Sequence, residues 1–314
     1  MHEDHVSWRR RLGESVAAAY AADDAVAATA IAGSVARSWA DRYSDIEVLV
    51  FWQRPPEHRQ RVDAVVRSGG TIDVDWSHEE AAAQWRCAVI DGNGHIGELW
   101  PYEDDEWAEH FYVSGVHVGV SGFALATADA WIRALVDEAQ PTDDAQMLAA
   151  SLVNANDVTG AHQLEVWRRR LREFPDQLRN ALVAQALEVD ETWWNVDLLA
   201  SRDDRPAFDL LLVSMAQRII RCLLAVNRRY LPDPKPKWTR RLLGSLADAP
   251  PRICDRLDNV WGLPAQEAAR LIADLFDETL DLVDATMPEF DVTGTRRFYA
   301  NRRAVWDVPP PGVE

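Results

Sequence analysis

Two carboxylates stand two residues apart at the head of an apolar run: Asp45 and Glu47, followed by Val48-Leu49-Val50-Phe51-Trp52. In an extended strand that spacing puts both side chains on one face, with Ile46 and Val48 on the other. Like charges held so close oppose joint ionisation unless a cation lies between them. Mg²⁺ suits such a pair, because it takes hard oxygen ligands and commonly binds one or two carboxylates plus substrate phosphates. A metal held this way neutralises the charge that builds up during phosphoryl or nucleotidyl transfer. Asp45 and Glu47 are therefore the expected metal ligands and catalytic residues.

A second element lies just upstream. Ala25 to Ile31 reads as a short buried strand, and Ala32-Gly33-Ser34 as a tight turn after it. Glycine allows a backbone to approach an anion closely, and Ser34 offers a hydroxyl and an N–H at the start of the next short helix. Gly33, Ser34 and the loop residue Ser44 are the expected contacts to a nucleotide. Strand, Gly-Ser turn, one or two helical turns over Val35–Ala40, loop and carboxylate-bearing strand then follow in that order.

The string Ala32-Gly33-Ser34-Val35-Ala36-Arg37 through Tyr43-Ser44-Asp45-Ile46-Glu47 resembles the signature of polymerase-beta-type nucleotidyltransferases. It is particularly similar to the aminoglycoside- and lincosamide-modifying members, which have a helical C-terminal domain and act in antibiotic resistance, and Tyr43 to Glu47 closely resembles the aminoglycoside 4'-nucleotidyltransferase version. The resemblance covers about 20 residues closely and the remainder only in general organisation. It implies Mg²⁺-dependent transfer of a nucleoside monophosphate from an NTP, with ATP the expected donor, to an acceptor hydroxyl.

Members of that superfamily usually carry a third carboxylate on a later strand, and two segments here compete for the role. In Thr71-Ile72-Asp73-Val74-Asp75-Trp76, Asp73 and Asp75 share a face by the same period of two; Asp73 is taken as the catalytic candidate. Gly115-Val116-His117-Val118-Gly119-Val120-Ser121 resembles a Gly-Val-x-Val-Asp-Val-Ser strand of relatives with a helical second domain. There Gly119 stands where the aspartate is expected. On that second alignment the chain is a nucleotide-binding protein without a complete catalytic set.

Around these residues the chain reads as α+β. A nucleotidyltransferase α/β domain over 1–139, a small mixed sheet with flanking helices, precedes an all-α domain over 145–314. Gln140 to Asp144 is the expected linker. Phe111 to Val120 reads as one alternating strand, with His117 and Gly119 on one face and Tyr112 and Val116 on the other. Asp91-Gly92-Asn93-Gly94 is a hairpin signal.

Charge narrows the partners. The net charge is −18, a field that repels nucleic-acid phosphates and attracts cations. A small cationic, aminoglycoside-like acceptor is favoured over a tRNA or protein target of the toxin-like kind. The only lysines, Lys235 and Lys237, fall within the basic stretch Asn227 to Arg241. This stretch resembles the Asn-Arg-x-Tyr … Lys-Trp segment of the same relatives, and Lys237 and Arg240 are expected triphosphate contacts. Three well-separated cysteines, no signal peptide and no membrane-length apolar run point to a cytoplasmic protein. The oligomeric state stays open, a homodimer included.

Overall fold

The computed structural model describes residues 4–70, 87–90, 96–99, 106–188, 190–202, 204–235 and 237–305. The chain folds into two compact units, one ending at Phe174 and the other starting at Pro175. The first holds a mixed sheet with helices and the second is helical, so the α+β class read from the sequence is the class observed.

Among the described residues the sheet has seven strands: β1 (Val26–Ile31), β2 (Ile46–Trp52), β3 (Cys87–Ile90), β4 (Ile96–Leu99), β5 (Glu106–Val113), β6 (Val116–Ala124) and β7 (Asn156–Thr159). Their spatial order is β3-β4-β5-β6-β2-β1-β7. Among the described residues only the β2–β6 pairing is parallel; the other pairings are antiparallel. β2 sits inside the sheet, and from Val48 to Trp52 both of its faces are buried, as its near-continuous apolar run requires.

One face of the sheet packs on helices α1 (His5–Ala21) and α3 (His58–Arg67), between which lies a one-turn helix α2 (Gly33–Ala36). Val16, Ala17 and Tyr20 of α1 and Ala64 and Val65 of α3 meet Ile46, Val48, Val50, Phe111, Val118 and Val120. Within this core lies an ion pair that sequence reading missed. Arg61 Nε donates to Glu109 Oε1 at 2.5 Å, and the Tyr20 hydroxyl donates to Glu109 Oε2 at 3.3 Å. Burial pushes the Glu109 carboxyl above the ordinary carboxylate range, while the Arg61 charge pulls the other way. Its second donor, the Tyr20 phenol, is itself pushed well up by burial, so it stays a hydroxyl.

Three readings of the chain are corrected. Phe111–Val120 is not one strand: Ser114 (φ 52°) and Gly115 (φ 78°) form the tip of a two-residue hairpin, with Val113 opposite Val116. Positive φ at both positions is what a tight hairpin demands, and the fold-back puts Tyr112 on the same face as His117. The Gln140–Asp144 break is no boundary between the compact units. Thr142 caps a helix α5 (Asp143–Asn154; α4 is Leu125–Val136), and the next residues form β7. β7 pairs with β1, Thr29 opposite Thr159, and so belongs to the sheet with α6 (Ala161–Glu173). The short helix after Gly33-Ser34 also stops at Ala36, and Ser38 takes φ 57°. Asp73, Asp75 and the Asp91–Gly94 turn lie outside the described residues, although β3 and β4 do pair, Ile90 opposite Ile96.

The second unit is built on two 22-residue helices, α9 (Arg205–Val226) and α12 (Ala265–Thr286), with α7 (Asp176–Ala186), α8 (Val196–Ser201), α10 (Thr239–Gly244), α11 (Ile253–Val260) and α13 (Thr293–Ala300) around them. Arg179 of α7 ties both long helices at their C-terminal ends. Its guanidinium donates to Val226 O (2.9 Å), Thr286 O (3.1 Å) and Thr286 Oγ1 (3.0 Å), where orphan carbonyls and the negative dipole end call for a cation. Among the described residues no helix is long and apolar enough to cross a membrane. Cys222 is fully buried, which pushes its thiol up to about 12 and leaves it inert.

The buried ion pair makes a stability prediction. Arg61→Met leaves the Glu109 carboxylate buried without its cation and should cost about 3–5 kcal/mol in urea unfolding, whereas Arg61→Met with Glu109→Leu should recover most of the loss.

Candidate active site

The site is built on the end of β2 and the turn after β1. Ala32 N donates to Glu47 O at 2.9 Å, tying the Gly33 turn to the carboxylate strand. Gly33 takes φ 61°, and a Cβ added there would stand 2.4 Å from Glu47 Cδ and Oε2. Glycine suits the position on two counts: φ 61° is a conformation L side chains rarely adopt, and any Cβ would push the Glu47 carboxylate away from this backbone. Ser34 is buried beside it, and its carbonyl accepts from Trp39 N at 2.8 Å. Arg37, the C-cap of α2, supplies a cation near Glu47: burial lowers its pKa and the Glu47 charge partly restores it.

Asp45 precedes β2 on the same face as Glu47, and its loop is held from two sides. Arg9 of α1, only 4% exposed, donates from Nε to Ser44 O at 2.7 Å and from its terminal nitrogen to His5 O at 3.1 Å. On the other side, Asp41 Oδ1 accepts from Tyr43 N (2.9 Å) and from the Ser44 hydroxyl (3.1 Å), and Asp41 N donates to Ser44 Oγ (2.9 Å). These bonds, that from Tyr43 N foremost, hold the Asp41 carboxyl below its usual range. Ser44, expected to touch a nucleotide, thus has its hydroxyl engaged in closing the loop that presents Asp45.

The neighbouring strands continue the face. Glu47 is paired with Gly119 of β6, and Gly119 with His110 of β5, so one row across three strands reads Glu47–Gly119–His110. One step along, His117 is paired with Tyr112, and His117 Nδ1 lies 3.6 Å from Asp45 Oδ2. The His110 and His117 rings stack, centroids 5.5 Å apart and 10° from parallel, and Tyr112 meets His117 edge-on at 5.3 Å. The glycine at 119 therefore does occupy the row next to Glu47, and no carboxylate comes from β6 there. Sequence reading placed His117 on the Gly119 face but missed His110, because the hairpin at Ser114–Gly115 is what brings it across.

Among the described residues no group of three His, Cys, Asp or Glu converges to hold a metal ion by itself. A pair of carboxylates on one face, with a backbone pressed to one of them, still fits Mg²⁺, which takes its remaining ligands from water and substrate phosphates.

The basic stretch of the helical unit is largely structural. Asn227 accepts from Ala247 N and Asp248 N and donates to Asp248 O, Arg228 pairs with Asp176, and Tyr230 is buried. Arg240 is clasped by Asp255 (2.7 Å) and by Asp258, hydrogen bonds that raise its pKa. Lys237 is exposed, and the Arg241 guanidinium lies over the Trp238 ring.

The sequence family described as "Domain of unknown function (DUF4037)" matches residues 144–239, less than half of the chain. No curated protein matches. Among solved structures, the chain is similar to a nucleotidyltransferase-like protein from Exiguobacterium sibiricum 255-15, at 10% identity and a TM-score of 0.40, over 90% of this chain and 80% of that one.

Two outcomes follow from the loop geometry. Arg9→Ala should cost about 1 kcal/mol by leaving the part-buried carbonyls of Ser44 and His5 without their donor, and peptides covering 40–47 should exchange amide hydrogens faster. An unchanged exchange rate in that segment would show that Arg9 does not hold the Asp45 loop.

Proposed function

We propose that the protein binds a nucleoside triphosphate through a divalent cation held by Asp45 and Glu47, and transfers its nucleoside monophosphate to a hydroxyl of a small, cationic acceptor. The observation that carries this reading is the close approach of Gly33 to Glu47 beside Asp45: a carboxylate pair aligned on one face next to a backbone turn with no side chain. Mg²⁺, bound there, would neutralise charge on the phosphate oxygens. Asp45 and Glu47 hold and orient the complex, Gly33 and Ser34 line the turn that receives the phosphates, and Arg37 balances the Glu47 charge. ATP is the donor proposed first. Of the two basic candidates in the helical unit, Lys237 remains a proposed triphosphate contact; Arg240 already has two carboxylate partners. The net charge of −18 supports a cationic, aminoglycoside-like acceptor and weighs against nucleic acid.

A second reading rests on Gly119. Its register opposite Glu47 leaves β6 without a carboxylate, which favours a protein that binds a nucleotide but turns it over slowly or not at all.

Thermal unfolding with and without MgATP separates site from scaffold. At 100 times its dissociation constant MgATP should stabilise the protein by about 2.7 kcal/mol. Asp45→Asn should abolish that gain while leaving the ligand-free melting temperature unchanged or higher. Full MgATP stabilisation of Asp45→Asn contradicts the proposal, and stabilisation without pyrophosphate release supports the second reading.

A further inference from the structure

The row Glu47–Gly119–His110 is completed by an imidazole. A Cβ built on Gly119 would stand 3.4 Å from His110 Nδ1 and 3.5 Å from His110 Cε1, so the ring leans over the bare backbone of β6. The volume into which a side chain at 119 would extend is thus bordered by His110, on the face that carries Glu47. The ring is held in place: it stacks on His117, which in turn is 3.6 Å from Asp45 and braced edge-on by Tyr112. Three aromatic rings from the two arms of one hairpin therefore stand beside the carboxylate pair.

We propose that His110 is the proton acceptor of the site, an imidazole reaching over Gly119 from the neighbouring strand. This rests on the nucleotidyl-transfer reading above. The acceptor's hydroxyl oxygen forms a bond to the α-phosphorus of the nucleoside triphosphate. The bond from that phosphorus to the bridging oxygen breaks, and pyrophosphate departs with the electron pair. The hydroxyl proton passes to an unprotonated ring nitrogen of His110. Imidazole is the side chain most often used for such a transfer, and its lean over Gly119 puts it across one strand from Glu47 rather than on a distant loop. His117 is assigned the positioning role, since its ring lies between His110 and Asp45.

The test uses the full chain with MgATP alone, water serving as the minimal hydroxyl acceptor. AMP release is followed in single turnover, and MgATP affinity by calorimetry, for the wild type, His110→Ala, His110→Gln and the double variant His110→Ala with Gly119→Asp. His110→Ala and His110→Gln should slow AMP release by about 10²–10⁴-fold, the usual worth of a proton-transfer group, with MgATP affinity unchanged. The double variant puts a carboxylate back in the central row and should regain part of the rate; a merely structural histidine would give no such rescue. The Gln variant covers the case in which Ala fails to fold. Wild-type rates in both single variants overturn the proposal, as does loss of rate matched by loss of MgATP affinity. A wild type that binds MgATP but yields no AMP overturns it too, while leaving nucleotide binding intact. A wild type that does not bind MgATP removes the underlying reading as well.

Discussion

Seven consecutive parallel pairs between β2 and β6, from Ile46–Val118 to Trp52–Ala124, are the constraint on which the rest of the structure depends. Because side chains alternate, this single register decides everything on both faces. On one side it sends Ile46, Val48, Val118 and Val120 into the core under α1 and α3. On the other it lines up Glu47 with Gly119 and, through β5, with His110. A slip of one residue would bury Glu47 in that core and turn Gly119 away from it. The buried Arg61–Glu109 pair pins β5 on the core side, so His110, the very next residue, is forced onto the site face. Core and site are two sides of the same three strands.

Electrostatics follows the same division. Glu109 and Arg61 are both almost fully buried and pair with each other, Tyr20 donating to the same carboxylate and Arg61 also to Ala108 O, an arrangement that fixes position more than it adds stability. Asp45 and His117 are each about a third exposed, so their face remains open to solvent and to ligands. Arg37 lies deeper, where its charge offsets that of Glu47. The strand that carries the carboxylates is therefore rigid from below and accessible from above, as a site needs when it must hold charge before a substrate arrives.

What could be read from the chain was local. Gly33-Ser34 and the Asp45/Glu47 pair were legible because a turn and a period of two act within a few residues, and the structure brings Gly33 against Glu47. Ser44 was not legible as a loop-closing residue, since its partner Asp41 could as well have been a solvated acid. The hairpin at Ser114–Gly115 hid inside an unbroken apolar alternation, and with it went the true face of Tyr112 and the role of His110. β7 has four residues and lies between two helices, too short for a pattern of its own; its pairing with β1 is purely long-range. Arg240 was read as a triphosphate contact because its partners Asp255 and Asp258, 15 and 18 residues on, reach it only through the packing of α10 and α11.

Asp45 and Glu47 are proposed jointly to hold a divalent cation that carries a nucleotide. A crystal structure with Mn²⁺, which scatters anomalously in place of Mg²⁺, and a non-hydrolysable NTP tests it most directly. The expected result is an anomalous peak at coordination distance, about 2–2.2 Å, from an oxygen of each carboxylate, with phosphate density running toward the Gly33 turn. An anomalous peak elsewhere, or nucleotide density that does not touch this face of β2, would contradict it.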